Sequence, residues 1–227
     1  MPTTLITGAN RGLGLEFTRQ YAAEGWRVIA CVRDVAKAGA LQRLGDNVEI
    51  YPLDVSDFSA IDQAAENLAG IAIDVLLLNA GLNPQLEAPN AEGADYDAWP
   101  EVFRVNTMAP LRLAVAFRDH VAASQKKIVA AISSGGATIS QAKGGNYLYR
   151  SSKAALNLCM SGLAKEYADR GLIIVMLAPG WVRTDMGGPN ATFTPEDAVG
   201  RVRTVIDGLT RKDSGRFINN DGSDYPW

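Results

Sequence analysis

Residues Thr4–Phe17 read "TLITGANRGLGLEF". The apolar run before Gly8 has the length of a buried strand, and the pattern after Gly14 has the spacing of an amphipathic helix. Leu13, Phe17 and Tyr21 recur at intervals of four until Gly25 supplies a stop. Gly8, Gly12 and Gly14 therefore fall where a first strand turns into a first helix. A helix N-terminus presents unpaired N–H groups and the positive end of its dipole, which suits a phosphate. Glycines let the backbone turn sharply and come close to a pyrophosphate without a Cβ in the way. The spacing is GxxxGxG rather than GxGxxG, and the Gly-Lys-Ser/Thr of a nucleoside-triphosphate loop is missing, so the turn reads as a dinucleotide site and not an ATPase loop.

The same alternation continues along the chain. "TTLIT" (Thr3–Thr7), "RVIACV" (Arg27–Val32), "VEIYPLD" (Val48–Asp54) and "DVLLLNA" (Asp74–Ala80) read as strands, as do "KIVAAIS" (Lys127–Ser133), "LIIVMLA" (Leu172–Ala178) and "RFINN" (Arg216–Asn220). Several are almost unbroken Val, Ile and Leu, the mark of strands covered on both faces. Helical stretches lie between them. One starts at Ser56 as N-cap and stops at Gly70, and a long one from Asp97 to Val121 is expected to bend at Pro110. Parallel strands need crossovers, so the expected fold is α/β: a Rossmann-like, doubly wound parallel sheet of about seven strands with helices on both faces. No repeat, low-complexity tract or linker divides the 227 residues, which are read as one domain, 1–227.

Composition narrows the function. A net charge of -3 and a pI of 5.3 exclude the basic face of a nucleic-acid protein. Two cysteines, Cys31 and Cys159, fit reduced thiols better than a secreted disulfide scaffold. One histidine, His120, and no CxxC leave no set of metal ligands; His120 is read as a helix-surface residue. No signal peptide is evident, and the most apolar stretch is too short to span a bilayer, so a cytoplasmic protein without membrane contact is expected.

Ligands of open α/β sheets bind at the carboxyl ends of the strands. Asp54 ends the third strand and Asn79-Ala80-Gly81 the fourth, although a helix cap and a plain turn would also account for them. The second strand ends in Arg33-Asp34, and Arg11 sits inside the glycine loop. An acid there would take the adenosine ribose hydroxyls, whereas arginine suits a 2′-phosphate. The two cations favour NADP(H), with NAD(H) still possible.

In "NYLYRSSKAALN" (Asn146–Asn157), Tyr149 and Lys153 are four apart and lie about 40° from each other around a helix. Tyr147 and Lys153 are about 240° apart, and Tyr147 is placed in the loop before the helix. An ammonium beside a phenol lowers its pKa and makes it a usable proton donor and acceptor. Tyr149 is thus the chemical candidate and Tyr147 a packing or substrate-wall residue.

Together "TGANRGLG", "NAG", the Asn106 of "RVNTMAP", "ISS", "YRSSK" and "PGWVRTDM" resemble the short-chain dehydrogenase/reductase family over nearly the whole chain. "GGNYLYRSSKAALN" and the ending "NNDGSDYPW" are most similar to its C-factor-like and sniffer-type carbonyl reductases. The resemblance implies a catalytic tetrad of Asn106, Ser134, Tyr149 and Lys153, with Ser133 adjoining and only one serine of the pair able to face the site. It implies a cofactor site drawn from Gly8, Asn10, Arg11, Gly12, Leu13 and Gly14 in the loop. Arg33, Asp54, Val55, Asn79, Ala80 and Gly81 join it at the strand ends. Tyr149, Lys153, Pro179, Gly180, Val182 and Thr184 complete it, with Thr184 as anchor of the nicotinamide amide. The activity implied is NADPH-dependent reduction of aldehyde or ketone carbonyls, against an alternative as a cofactor-binding signalling protein of the C-factor type. A sugar-nucleotide epimerase is disfavoured by the glycine spacing. The short segment "TDMGGPNATFT" (Thr184–Thr194) suggests an open, permissive pocket. Small and apolar residues on several sides of the helix expected from Tyr149 to Arg170, among them Ala155, Leu158, Cys159, Gly162 and Leu163, point to a homodimer or homotetramer.

Overall fold

The computed structural model describes residues 1–84 and 90–227. Among them, seven strands form one sheet: β1 (Thr3–Thr7), β2 (Arg27–Val32), β3 (Val48–Pro52), β4 (Val75–Leu78), β5 (Ile128–Ile132), β6 (Ile173–Ala178) and β7 (Phe217–Asn219). All neighbours are parallel, in the order β3-β2-β1-β4-β5-β6-β7. The chain winds outward from β1 to one side, then returns to β4 and winds to the other. The carboxyl ends of β1 and β4 consequently diverge into a crevice.

Alternate residues of the central strands feed two cores. Leu5, Leu76, Val129 and Ile174 pack with Ile61 of α2 (Phe58–Asn67), with Leu113 of α4 (Ala109–Ala116) and with Leu156 and Met160 of α6 (Tyr147–Glu166). Ile6, Leu77, Ala130 and Val175 pack on the opposite face with Phe17 and Tyr21 of α1 (Gly12–Ala23) and with Val202 and Ile206 of α7 (Pro195–Gly208). Helices therefore cover both faces, which is why these strands lack a polar side. After β7 the chain turns back, and Ser223–Tyr225 runs antiparallel along the outer edge of the sheet: Asn219 N–H donates to the Ser223 carbonyl at 2.8 Å, and Tyr225 N–H to the Phe217 carbonyl at 2.8 Å.

The structure corrects four local readings. The cap of α2 is Asp57, not Ser56, because Asp57 Oδ1 accepts from the N–H groups of Ser59 and Ala60 while Ser56 is held by Asp54. The stretch from Asp97 to Val121 is not one bent helix. It comprises α3 (Trp99–Phe103), a π-helical turn over Arg104–Met108, α4, and α5 (Arg118–Ala122). Pro110 has no N–H to return to the Asn106 carbonyl, so the irregularity falls on the turn before Pro110 rather than at it. Helix α6 begins at Tyr147, two residues earlier than read, so Tyr147 is its first residue and not part of a loop. His120 is half-buried: its Nδ1 lies 3.0 Å from the Ile71 carbonyl oxygen and its Nε2 3.1 Å from that of Ala65, against the end of α2.

Two helical glycines have opposite roles. A Cβ on Gly14 would stand 2.1 Å from the Gly8 carbonyl oxygen, whereas one on Gly200 would meet nothing within 4 Å. Gly200→Ala is therefore expected to stabilise the fold by about 0.5–1 kcal/mol through helix propensity. Gly14→Ala should cost roughly 2–3 kcal/mol despite the same propensity gain, because backbone must move to admit it. Urea unfolding of both variants checks the sign reversal; destabilisation of both, or of neither, would contradict it.

Candidate active site

The crevice between the ends of β1 and β4 is braced by side chains that face away from any ligand. Thr7 Oγ1 accepts from the N–H of Asn79 at 3.0 Å and of Ala80 at 3.1 Å, and Asn79 Nδ2 donates to the Thr7 carbonyl at 2.9 Å and the Gly8 carbonyl at 3.3 Å. Gly8 takes φ +66°, and a Cβ there would come within 3.0 Å of the Ala80 backbone. The glycine loop is thus pressed onto the Asn79–Gly81 turn, and the first turn of α1 is left open to a phosphate. A methyl group on Gly12 would touch Thr184 Cγ2 at 3.5 Å, which puts Thr184 over the loop. Val182 is buried, while Asn10 and Leu13 keep part of their surface exposed. Pro179 and Gly180 follow β6, with the Pro179 carbonyl accepting from Asn220 Nδ2 at 2.9 Å.

At the ends of β2 and β3 the charges separate. The Asp34 carboxylate accepts from the Ala36 N–H at 3.0 Å and pairs with Lys37 at 3.3 Å. Asp54 Oδ1 accepts from the Ser56 N–H at 2.9 Å and hydroxyl at 2.8 Å, beside buried Val55. Arg33 is exposed and has no hydrogen-bond or ion-pair partner among the described residues. Arg11 instead reaches across to Asp185 at 3.3 Å, in a pair exposed on both sides that contributes little and is readily exchanged.

At the other end β5 and α6 bring the chemical groups together. The two serines point opposite ways, as alternation along a strand requires. The hydroxyl of buried Ser133 donates to Asn157 Oδ1 at 2.6 Å, whereas Ser134 stands on the Tyr149 side, near enough to draw the phenol pKa down. Ser134 Oγ also accepts from the Gly136 N–H at 3.0 Å, so its own proton remains available to donate. Lys153 is 4% exposed, and its ammonium donates to the Ile132 carbonyl at 2.7 Å. Its Nζ stands 5.7 Å from the centroid of the Tyr149 ring.

Asn106, read as helical, lies fully buried in the π-helical turn. Its Oδ1 accepts from the Leu82 N–H at 2.7 Å, while Nδ2 donates to the Leu82 carbonyl at 2.8 Å and to Ser152 Oγ at 3.0 Å. Sequence reasoning missed the supporting residues Thr7, Ser152 and Asn220. Their only trace is adjacency to a motif, since a hydrogen bond from a neighbouring element leaves no periodic signal.

One electrostatic expectation is overturned. Lys153 does not lower the Tyr149 pKa here; burial pushes the phenol up, and Ser134 is the group that draws it back. The Lys153 ammonium is turned to the Ile132 carbonyl, and burial lowers its own pKa to about 8. Lysine ordinarily titrates at 10.5, so between about pH 8 and 10.5 the unfolded chain holds a proton that the folded chain has shed. Stability from this residue accordingly rises with pH across that window and is flat below it. Comparing wild type with Lys153→Met by denaturant unfolding from pH 7 to 10 should shift the difference toward wild type by up to about 3 kcal/mol. A pH-independent difference would show that the amine is not desolvated.

Among the described residues no helix is long and apolar enough to cross a membrane. The family model described as short chain dehydrogenase matches residues 2–194. C-signal of Myxococcus xanthus is 37% identical over 164 residues, covering 72% of this chain and 98% of that protein. The NADPH-bound carbonyl reductase from chicken fatty liver superposes with a TM-score of 0.90 at 34% identity, over 100% of this chain and 99% of that one. Carbonyl reductase Sniffer of D. melanogaster gives a TM-score of 0.91 at 28% identity, over 100% of both chains.

Proposed function

The chain belongs to the short-chain dehydrogenases, and from that membership we propose that it is an NADPH-dependent reductase of aldehydes and ketones, reversible as an alcohol dehydrogenase. The observation that carries the reading is the buried Lys153 amine 5.7 Å from the Tyr149 ring on the same helix, with Ser134 drawing the phenol pKa down. The glycine loop suits a dinucleotide, because Gly14 lets the loop fold tightly on Gly8 and no side chain caps the first turn of α1. When bound, the nicotinamide supplies the hydride.

The chain's own groups handle the oxygen and its proton. Tyr149 donates its phenolic proton to the carbonyl oxygen of the substrate, and Ser134 hydrogen-bonds the same oxygen as negative charge develops on it. Lys153 spends one N–H on Ile132 and keeps two for the nicotinamide ribose hydroxyls. The Asn106 amide is fully committed to Leu82 and Ser152, so any part Asn106 takes in proton traffic falls to its main-chain carbonyl, which Pro110 leaves without an α-helical donor. Thr184 over Gly12 suits the nicotinamide amide.

NADP preference is supported by a free Arg33 and an Asp34 already engaged, together with the NADPH-bound chicken reductase. Arg11 joins the phosphate site by exchanging Asp185 for it. A cytoplasmic homodimer or homotetramer belongs to the same reading, supported by Leu158 on α6 and Met108 in the π-helical turn, both exposed. A signalling role is the second reading, favoured by the likeness to C-signal; the intact serine, tyrosine and lysine speak for turnover.

Two experiments test the proposal. In a panel of aldehydes and ketones followed by NADPH absorbance, Tyr149→Phe should lose about 10²–10⁴-fold in kcat while still binding NADPH. Tyr147→Phe, on the far side of α6, should stay within roughly tenfold and act mainly on KM. A dead Tyr147→Phe beside an active Tyr149→Phe would reverse the assignment. Arg33→Asp should weaken NADPH by roughly 1.5–3 kcal/mol and leave NADH nearly unchanged. Tighter binding of NADH than NADPH by wild type would refute the 2′-phosphate site.

A further inference from the structure

The loop that carries Ser134 is held between the Tyr149 helix and the segment that follows β7. It leaves β5, passes through two consecutive glycines in a short turn over Gly135–Ala137, and runs on outside the sheet to Ser140. On one side Arg150 Nε donates to the Gly136 carbonyl at 3.1 Å. On the other it meets the segment that folds back after β7. Thr138 Oγ1 donates to the Pro226 carbonyl at 3.0 Å, and the Ser140 N–H donates to the Trp227 carbonyl at 3.0 Å. Between these bonds and Ser134, the Tyr225 phenol lies directly on Gly135: a Cβ there would stand 2.2 Å from Tyr225 Oη and 2.8 Å from its Cζ. The Tyr225 ring is in turn packed on Phe217 of β7, with centroids 4.9 Å apart.

We propose that Ser223–Trp227 is a brace for the serine loop, with Tyr225 a positioning residue that fixes where the Ser134 hydroxyl stands relative to Tyr149. The load passes from the β7 core through the Tyr225 ring to Gly135 and so to the adjacent serine. The contact with Gly135 is steric, since Tyr225 Oη has no hydrogen-bond partner among the described residues. The same hairpin holds the opposite wall, because Asn220 at its turn donates to the Pro179 carbonyl. Both sides of the reacting centre are therefore referred to one edge strand. Ser134 draws the Tyr149 pKa down, so a displaced serine also leaves a less acidic phenol.

The inference rests on the reading of Ser134 as a group that touches substrate. Tyr225→Ala should lower kcat about tenfold, part of the loss expected for a misplaced oxyanion donor, with KM and the NADPH Kd within about twofold of wild type. Tyr225→Phe, which keeps the ring on Gly135, should retain wild-type kcat within about twofold. In the alcohol-oxidation direction the alkaline rise of kcat should move to higher pH in Tyr225→Ala and not in Tyr225→Phe. Gly135→Ala, which leaves the hairpin whole and pushes on the same contact, should reproduce the kcat loss if Tyr225→Ala folds poorly. A fall in kcat matched by equal losses in NADPH affinity and Tm, or an unchanged kcat and pH profile, would overturn the brace. Hydrogen exchange at the Ser140 amide separates this idea from the functional reading: without any carbonyl turnover in wild type, the brace still requires exchange about tenfold faster in Tyr225→Ala than in Tyr225→Phe, and equal rates would refute it.

Discussion

A buried primary amide must place two N–H groups and an oxygen, and at Asn106 each has a partner. Two bonds exchange with the backbone of Leu82 and a third reaches Ser152, so one side chain joins the β4 turn, the π-helical turn and α6. Thr107 adds a parallel tie, its hydroxyl donating to the Ser152 carbonyl at 2.8 Å. Tyr149 and Lys153 flank Ser152 on the helix so anchored. The relation of phenol and amine to the crevice between β1 and β4 is therefore set through the Asn106 hydrogen bonds to Leu82 and Ser152. Leaving such an amide unpaired would cost about 1–3 kcal/mol for each orphaned group, and this makes the arrangement all-or-none.

The same economy governs the charges. Lys153 is buried with one carbonyl bond among the described residues, and the phenol beside it is raised by desolvation and moderated by a neutral serine. The protein alone therefore holds Tyr149 as a weak acid in its protonated form. Acidity is tuned by hydrogen bonding and burial more than by a facing cation. The carboxylates at the ends of β2 and β3 are tied into their own turns, whereas Arg33 has no ion-pair partner among the described residues.

The sheet was legible in the sequence because its strands are buried on both faces and interrupted by helices of clear period. Each of the seven appears within two residues of its expected bounds. The glycine turn and the Tyr149–Lys153 pair were legible for the same reason: their geometry is local, fixed by strand-to-helix reversal and by helical pitch. What could not be read depends on contacts between distant segments. The Asp57 cap and the π-helical turn ahead of Pro110 turn on competition between neighbouring hydrogen-bond donors. The direction of the Tyr149 shift turns on where the Lys153 stem is drawn, and periodicity carries no trace of the Ile132 carbonyl that draws it. The choice of Ser134 over Ser133 came from the family resemblance alone; its physical reason, that Asn157 on a different element takes up the Ser133 hydroxyl, left no trace in the sequence.

The antiparallel return along β7 also bears on how the protein behaves when damaged. An edge strand offers a row of unpaired N–H and C=O groups to any passing extended chain. Here Ser223–Tyr225 takes up the Asn219 N–H and the Phe217 carbonyl on that edge. The turn that feeds it, Asp221-Gly222, is exposed, and exposed polar turns are where proteases cut. A nick there would uncover an apolar strand that reads "FIN" beside "IIVMLA", and the clipped molecule would present a sticky template for intermolecular pairing while most of its core was still folded.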